Sequence, residues 1–241
     1  MADGAGGRPV LLTRPLEDSR VFADRLAEDG VESLIWPLTR IVPAGGELAL
    51  PPGTHALLVT SAHGIRAFAA LRRERALPVL AVGRKTAEVA RGLGFHNVLS
   101  ADGDAEALAA MARASAYRRF FHPRGRDAAA DLPTLIAGPA RAVTEAVLYR
   151  AEETGPPPAP VADALARGRV GAVTVWSRRN AAILAGHLSA GRARLGPGIA
   201  LVAISQAAAE PLTGAGFAAV RNSDEPTAAG MHAAIVSHLH R

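Results

Sequence analysis

The sequence contains no cysteine, which excludes disulfide bonds, thiolate metal sites and a cysteine nucleophile. It also has no run of the roughly 20 apolar residues that a membrane-spanning helix needs. The opening residues, from Met1 to Arg8, lack the apolar core of a secretory signal. We therefore expect a cytoplasmic protein that makes no contact with a membrane.

Aromatic residues make up only 4% of the 241-residue chain, and a single residue among its 27 basic ones, Lys85, is lysine. The hydrophobic fraction is nevertheless 49%, which is typical of a globular protein with an aliphatic core. The formal net charge of +5 comes from arginines that are scattered rather than clustered, so no nucleic-acid partner is expected. The length favours two domains of roughly 100 to 150 residues each.

The motifs of several enzyme classes are missing. The chain has no Gly-x-Ser-x-Gly nucleophile elbow, no phosphate-binding loop ending in Gly-Lys-Ser or Gly-Lys-Thr, and no Gly-x-Gly-x-x-Gly fingerprint. The eight histidines are scattered, and none forms a ligand pair with a nearby carboxylate. We therefore expect no metal site.

Short apolar runs alternate with helical patterns, as in α/β proteins with parallel sheets. Residues 10–13 and 31–36 predict strands on either side of a helix, which together form a βαβ unit. The same order of elements recurs in two later modules, at 55–99 and 170–220. Their second helices and strands align without gaps, so the chain contains an internal duplication.

The repeated modules also predict where individual helices begin and end, and they include a second, looser match. We predict that the helices which follow two of the polar strand ends begin near Thr86 and at Asn180. A looser match links residues 11–30 with 120–138, and both segments open a βαβ unit. Gly94 is expected to end the helix before it because glycine adopts positive φ without strain.

The order of the pieces predicts that the two domains have exchanged halves. If each domain needs one unit of each kind, domain 1 consists of residues 1–36 and 154–241, and domain 2 is an insertion of residues 44–145. The chain then crosses between domains twice, through linker strands at 37–43 and 146–153. The predicted fold is α/β, with two similar doubly wound parallel-sheet domains joined by a two-stranded β-ladder that acts as a hinge.

Polar residues recur where the predicted strands end. Ligands of doubly wound sheets bind beyond the carboxyl ends of strands, where helix N-termini offer free N–H groups to anions. Facing each other across a hinge, such residues would line a cleft. The candidate substrate contacts are Thr13, Arg14, Ser61, Ala62, Gly83, Arg84, Lys85, Thr86, Ser177, Arg178, Ser205, Gln206 and Thr227. The alternative is that the hydroxyls only cap helices, which we expect for about half of them, and that the cations are solvated surface charges.

Tyr149 is one of only two tyrosines and lies in the second crossing. Strand alternation could direct its hydroxyl towards the cleft, where a phenol can donate a hydrogen bond or a proton to a leaving hydroxyl. On spacing alone, Tyr149 could equally be an aromatic residue that packs the hinge.

These pieces, taken in order, resemble uroporphyrinogen-III synthases over the whole chain. The segments that carry the resemblance are 11–15, 58–62, 81–86, 147–150, 175–177, 203–205, 216–217 and 226–227. Two departures from the family pattern are the residues after Ser205, which are Gln206-Ala207-Ala208, and Trp176 before Ser177.

The resemblance implies that the chain converts hydroxymethylbilane to uroporphyrinogen III, with loss of water and inversion of the terminal pyrrole ring. It implies no cofactor, a catalytic role for Tyr149, and transient contact with the enzyme that makes the substrate. A monomer is expected because no coiled coil or exposed apolar stripe is apparent. The family's two α/β domains on a two-stranded ladder agree with the duplicated pattern.

Two other functions compete with this interpretation. The first is a hinged, non-enzymatic binder or sensor of a small polyanion, built on the same two-domain plan. Tyr149 and the lack of an appended output module favour the enzyme instead. The second is a nucleotide-dependent transferase with a Rossmann-type fold, but the glycine fingerprint that it requires is absent.

Overall fold

A computed structural model of the chain describes residues 7–46, 48–127, 130–138 and 140–239. Residues 1–6, 47, 128–129, 139 and 240–241, which the sequence prediction assigns to its two domains, lie outside the described residues. The strands are β1 (Val10–Leu12), β2 (Ser33–Ile35), β3 (Thr39–Pro43), β4 (Ala56–Val59), β5 (Val79–Ala81), β6 (Val98–Ser100), β7 (Arg119–Gly125), β8 (Ala142–Glu153), β9 (Ala172–Val175), β10 (Ala200–Ala203) and β11 (Ala219–Asn222). The helices are α1 (Leu16–Ala27), α2 (Ala62–Leu71), α3 (Arg84–Gly92), α4 (Ala105–Ala114), α5 (Leu132–Ile136), α6 (Ala159–Ala166), α7 (Arg178–Ser189), α8 (Gln206–Ala209) and α9 (Ala228–Leu239), with a 3-10 turn at Glu210–Leu212.

The chain divides into two units. Unit 1 contains Met1–Arg40 and Glu152–Arg241, and unit 2 contains Ile41–Ala151. Each unit has its own sheet, in which β1, β2 and β9 to β11, or β4 to β8, pair in parallel. The predicted α/β class with parallel sheets is therefore confirmed.

Unit 1 is built on a five-stranded sheet in the order β11-β10-β9-β1-β2. Because alternate side chains of a strand point to opposite faces, this sheet carries two cores. Leu11, Val173 and Leu201 pack with residues of α6 and α7 on one face. Val10 and Val202 pack with residues of α1 and α9 on the other face. The sheet is thus covered by helices on both sides.

Unit 2 is built on a six-stranded sheet in the order β3-β8-β7-β4-β5-β6. The same alternation gives it two cores. Leu57 and Val59 pack with α2 and α3 on one face, whereas Ala56 and Leu58 pack with α4 and α5 on the other. The continuous apolar run of β4 is explained by this burial on both faces.

The two sheets have the same strand order. Without β3, the second sheet is β6-β5-β4-β7-β8, which matches β11-β10-β9-β1-β2 of the first. In unit 1, however, β1 and β2 come from the start of the chain, and the other three strands come from its end. Gly94 and Gly216 occupy equivalent turns and have φ values of +89° and +93°, which glycine adopts without strain.

Strands β3 and β8 pair in the second sheet and also contain the points where the chain changes unit. The N–H of Ala44 donates to the carbonyl of Leu148 at 2.8 Å, and the N–H of Thr154 donates to that of Leu38 at 3.1 Å. Residue 38 thus pairs with residue 154, and residue 44 pairs with residue 148. Because the residue numbers change in opposite directions, β3 and β8 run antiparallel.

Two predicted helix starts were wrong by one half-turn. Helix α3 begins at Arg84 rather than Thr86, and α7 begins at Arg178 rather than Asn180. The hydroxyl of Ser177 accepts a hydrogen bond from the N–H of Asn180, so the helix already includes the two residues before the predicted start. None of the described helices is long and apolar enough to span a bilayer.

Candidate functional site

Tyr149 lies against the end of β7 in unit 2. The register of β7 and β8 slips by one residue between Arg124 and Gly125, so Tyr149 is opposite Gly125. A Cβ atom at position 125 would lie 2.8 Å from both Cε2 and Cζ of Tyr149 and 3.1 Å from its Oη. This bulge therefore directs the tyrosine ring over the glycine, where no larger residue fits.

The start of α2 contacts the other side of Tyr149. Ser61 caps α2, because its Oγ accepts a hydrogen bond from the N–H of His63 at 3.1 Å. Ser61 also makes a side-chain hydrogen bond with the Tyr149 phenol. The rings of His63 and Tyr149 are 5.8 Å apart, centroid to centroid, and are tilted by 56°. Ser61, His63 and Tyr149 thus form one cluster.

The Tyr149 phenol holds its proton at neutral pH. Partial burial raises the pKa of Tyr149, and the hydrogen bond from Ser61 acts in the opposite direction with a smaller effect. A phenol with a raised pKa is a hydrogen-bond donor and a weak acid rather than a base. The cluster can therefore supply a proton to an oxygen placed against it.

A partly buried chain of polar side chains links β4, β7 and β8 beside this cluster. Thr60 Oγ1 lies 3.1 Å from Nε2 of His122, and Nδ1 of His122 lies 2.9 Å from Oε1 of Glu145. Arg124 Nη1 donates to Oε2 of Glu145 at 2.9 Å. His122 is fully buried, and its burial, which outweighs the raising effect of Glu145, lowers its pKa. The neutral ring donates to Glu145 and accepts from Thr60.

Unfolding should become easier as the pH falls below about 6.5, the ordinary pKa of histidine. Burial lowers the pKa of both His122 and His187 in the folded protein. Between the ordinary and the lowered values the unfolded chain binds more protons, so acidification favours it, by up to about 1.4 kcal/mol per pH unit for each histidine. Urea unfolding between pH 7.5 and 5.5 would measure this change.

The two histidines can be followed separately in that experiment. Trp36 and Trp176 both lie in unit 1 with His187, so tryptophan fluorescence reports on unit 1, whereas circular dichroism reports on both units. A free energy of unfolding that does not change over this pH range would contradict the prediction.

The other predicted residues of unit 2 lie at the start of α3. Strands β4 and β5 are parallel neighbours, so the first turns of α2 and α3 emerge at the same edge of the sheet. Gly83 precedes α3, Arg84 pairs with Asp102 at 3.0 Å, and Thr86 is buried. This edge combines the first turns of two helices with the exposed cations Arg84 and Lys85.

In unit 1, Thr13 is fully buried. Its hydroxyl lies 2.6 Å from the carbonyl oxygen of Thr174 and 2.8 Å from Oδ1 of Asn180. Nδ2 of Asn180 donates to the Thr13 carbonyl at 3.1 Å, so Thr13 joins β1 to α7. A side chain without exposed surface offers nothing to a ligand, and Thr13 is not part of the site proposed below.

Arg14, in contrast, is held at the surface of unit 1. Its guanidinium lies 4.5 Å from the centroid of the Trp176 ring, and Nη2 donates to Asp18 at 3.0 Å. The edge of Phe22 packs against the same indole, with ring centroids 4.9 Å apart. The side chain keeps 23% of its surface exposed. Arg14 is therefore an oriented cation that an anion can still reach.

The other candidate hydroxyls of unit 1 cap helices. Ser177 accepts from Asn180 N–H at 3.1 Å, Ser205 from Ala208 N–H at 3.2 Å, and Thr227 from Gly230 N–H at 3.0 Å. In the sequence these residues could be caps or ligand contacts, and their capping is now observed. Arg178 forms an ion pair with Glu210, and Gln206 is the exposed first residue of α8.

No sequence pattern pointed to five residues that lie around Tyr149 or in the adjoining polar chain, namely His63, Thr60, His122, Glu145 and Gly125. One signal was present, because the looser repeat aligns His122 with Thr13, and both are buried polar residues, His122 within β7 and Thr13 directly after the equivalent strand β1. Within residues 7–46, 48–127, 130–138 and 140–239, no three His, Cys, Asp or Glu side chains lie close enough together to hold a metal ion.

Comparison with known families gives one extensive match. The family model described as Uroporphyrinogen-III synthase HemD matches residues 20–233. No curated protein sequence matches the chain significantly. The family match covers both units and most of the chain.

Solved structures show a similar architecture. The crystal structure of uroporphyrinogen-III synthetase from Helicobacter pylori 26695 has a TM-score of 0.63 and 14% identity, over 95% of this chain and 99% of that chain. A mutant uroporphyrinogen III synthase from the extremely thermophilic bacterium Thermus thermophilus gives a TM-score of 0.49 and 17% identity, over 96% and 99%. The first likeness supports the α/β fold described above.

Proposed function

Because the chain belongs to the uroporphyrinogen-III synthase family, which contains enzymes of tetrapyrrole biosynthesis, we propose that it closes hydroxymethylbilane into uroporphyrinogen III. The ring closes with loss of water and inversion of ring D. The observation that carries this proposal is the family match over residues 20–233, in a chain whose Tyr149 is a protonated phenol at a sheet edge.

In this reaction Tyr149 donates its proton to the departing hydroxyl, which leaves as water. The remaining methylene pyrrolenine is electrophilic, and an electron-rich pyrrole attacks it without help from a cofactor. Attack at the substituted position of ring D gives a spirocyclic intermediate, whose rearrangement inverts that ring. The proton released when the macrocycle regains its aromatic pyrroles returns to the phenolate, so the phenol is regenerated. The main contribution of the protein to catalysis is to hold the reacting parts of the substrate in the right orientation.

The substrate is a polycarboxylate, and both sheet edges suit its anionic groups. In unit 2 the proposed contacts are Ser61, Ala62, Gly83, Arg84, Lys85 and Thr86. In unit 1 they are Arg14, Ser177, Arg178, Ser205, Gln206 and Thr227. Backbone N–H groups in the first turn of a helix stabilise anions, and arginine binds carboxylates through paired hydrogen bonds. The predicted cleft between the two edges stays a prediction.

We propose that residues 1–36 with 154–241, and residues 44–145, act as domains connected by the linker strands 37–43 and 146–153. The hydrogen bonds of Ala44 and Thr154 across these strands support a ladder that serves as the hinge.

One chain supplies both the phenol and the cations, which supports a monomer. A water-soluble substrate supports a cytoplasmic reaction, with transient contact with the enzyme that makes it.

The isomer ratio of the product tests this function. Hydroxymethylbilane is generated in situ, purified protein is added, and the uroporphyrins are separated after oxidation. We expect isomer III to predominate, because uncatalysed closure joins the ends without inversion. If only isomer I forms, at the uncatalysed rate, the chain is not a synthase and the hinged binder becomes the better hypothesis.

Arg14→Lys should raise KM by roughly 3- to 10-fold with little change in kcat, because lysine cannot make the paired hydrogen bonds of a guanidinium to a carboxylate. Steady-state kinetics measures both constants. The control is Arg20→Lys, since Arg20 lies on α1, the helix that follows Arg14, with 62% of its side chain exposed. An equal effect of the two substitutions would remove Arg14 from the substrate contacts.

A further inference from the structure

Four side chains connect three neighbouring strands in unit 2. Thr60 follows β4, His122 and Arg124 belong to β7, and Glu145 belongs to β8. They form a continuous chain of hydrogen bonds from Thr60 through His122 to Glu145, which Arg124 also contacts. We refer to Thr60, His122 and Glu145 as the relay.

His122 is the buried member of the relay, whereas Thr60 and Glu145 are partly exposed. Both ring nitrogens of His122 have a partner, although the side chain has no exposed surface. His187 is also fully buried, and neither of its ring nitrogens has a hydrogen-bond partner. A buried polar network is stabilising only when each member is paired in one geometry, so it selects a single arrangement of the elements that carry it.

The three strands that the relay joins also lead to Tyr149 and to residues that contact it. Ser61 directly follows Thr60, Gly125 directly follows Arg124, and Tyr149 lies on β8 beyond Glu145. The register slip that directs Tyr149 falls between Arg124 and Gly125, immediately after the relay. A change in the relay would therefore shift both the hydroxyl that hydrogen-bonds to Tyr149 and the glycine beneath its ring.

We propose that Thr60, His122 and Glu145 are positioning residues, which hold β4, β7 and β8 in the arrangement that Tyr149 needs to act as an acid. The catalytic part of this inference rests on the proposed function, whereas the geometric part does not. The relay acts mainly through Tyr149, and Ser61 is only one of several proposed substrate contacts, so loss of the relay should lower kcat much more than it changes KM.

The tests are Thr60→Val, which removes the hydroxyl that contacts His122, and Glu145→Gln, whose single amide oxygen can accept from only one of His122 and Arg124. Both changes keep the size of the side chain. We expect kcat to fall by roughly 5- to 20-fold and KM to change by less than about twofold, as for a small misplacement of an acid. Thr60→Ser keeps the hydroxyl and should restore most of the activity. The matched control is Thr54→Val, which removes a threonine hydroxyl bonded to the Pro51 carbonyl in the same unit.

A direct readout of Tyr149 separates positioning from general structural damage. The chain has only two tyrosines, so a Tyr117→Phe background labelled with 13C at the tyrosine Cζ gives one NMR signal, from Tyr149. Thr60→Val and Glu145→Gln should each shift this signal at pH 7, and Thr54→Val should not. An unshifted signal in both relay variants, or an unchanged kcat, would overturn the proposal.

The two proposals fail in different ways. If the unmodified chain forms only isomer I, the proposed function is wrong. The NMR signal still decides whether the relay positions Tyr149. If the unmodified chain forms isomer III but the relay variants keep full activity and an unshifted signal, the relay is only structural. If one relay variant does not fold, the other carries the same test.

Discussion

Tyr149→Phe is expected to lower kcat by about 100-fold, the smaller end of what a general acid contributes. The phenyl ring still covers Gly125 and contacts His63, so the change removes only the hydroxyl and its hydrogen bond with Ser61. KM should change little, because the phenol acts on the departing hydroxyl rather than on the carboxylates. Steady-state kinetics with separation of the isomers measures the effect.

The control for this variant is Tyr117→Phe, which removes the other phenol of the chain. It should keep normal kinetics. Full activity of Tyr149→Phe would show that the phenol is not the acid and that orientation alone is sufficient. A rise in the share of isomer I would show instead that Tyr149 helps to hold the folded substrate.

Gly125→Ala should lower kcat by about as much, roughly 100-fold, since a misplacement of about 1 Å can reduce a rate by this factor. The new Cβ would lie 2.8 Å from two ring carbons of Tyr149, so the ring must move. The overpacking should also reduce the free energy of unfolding by about 1–3 kcal/mol. Kinetics and urea unfolding measure the two effects.

Gly92→Ala is the matched control, because a Cβ there meets no heavy atom within 4 Å. In a helix this change should stabilise the protein by about 0.5–1 kcal/mol and leave kcat unchanged. The double variant Gly125→Ala with Tyr149→Phe should be little worse than either single variant, since both act on one phenol. Additive losses would mean that Gly125 matters for another reason.

The fold was predictable from local patterns. Apolar runs such as Leu57 to Val59 identify strands that are buried on both faces, and the repeat shows that two similar units exist. The order of the repeated pieces also predicts that the first βαβ unit belongs with the last module, and β1 does pair with β9. These inferences need only the period of the side chains and the rule that parallel strands require crossovers.

The candidate site was predictable only in part. Ser61, Ser177 and Arg14 stay candidate substrate contacts, and they were selected because polar residues after a buried strand reach the carboxyl edge of the sheet. The same rule selected Thr13, which is buried, because position in the sequence does not say how deeply a strand end is covered. The pairing of His122 with Glu145 depends on the register of β7 and β8, which connects residues 23 positions apart in the chain.

The sequence alone therefore determined the α/β class, the duplication and the family, since these follow from periodicity and from motifs read in order. Only the tertiary structure decided which of the polar residues meet. The one-residue slip between Arg124 and Gly125 places Tyr149 over a glycine, and the burial of His122 makes its two hydrogen-bond partners necessary. Register and burial arise from packing between distant segments, and no local pattern specifies them.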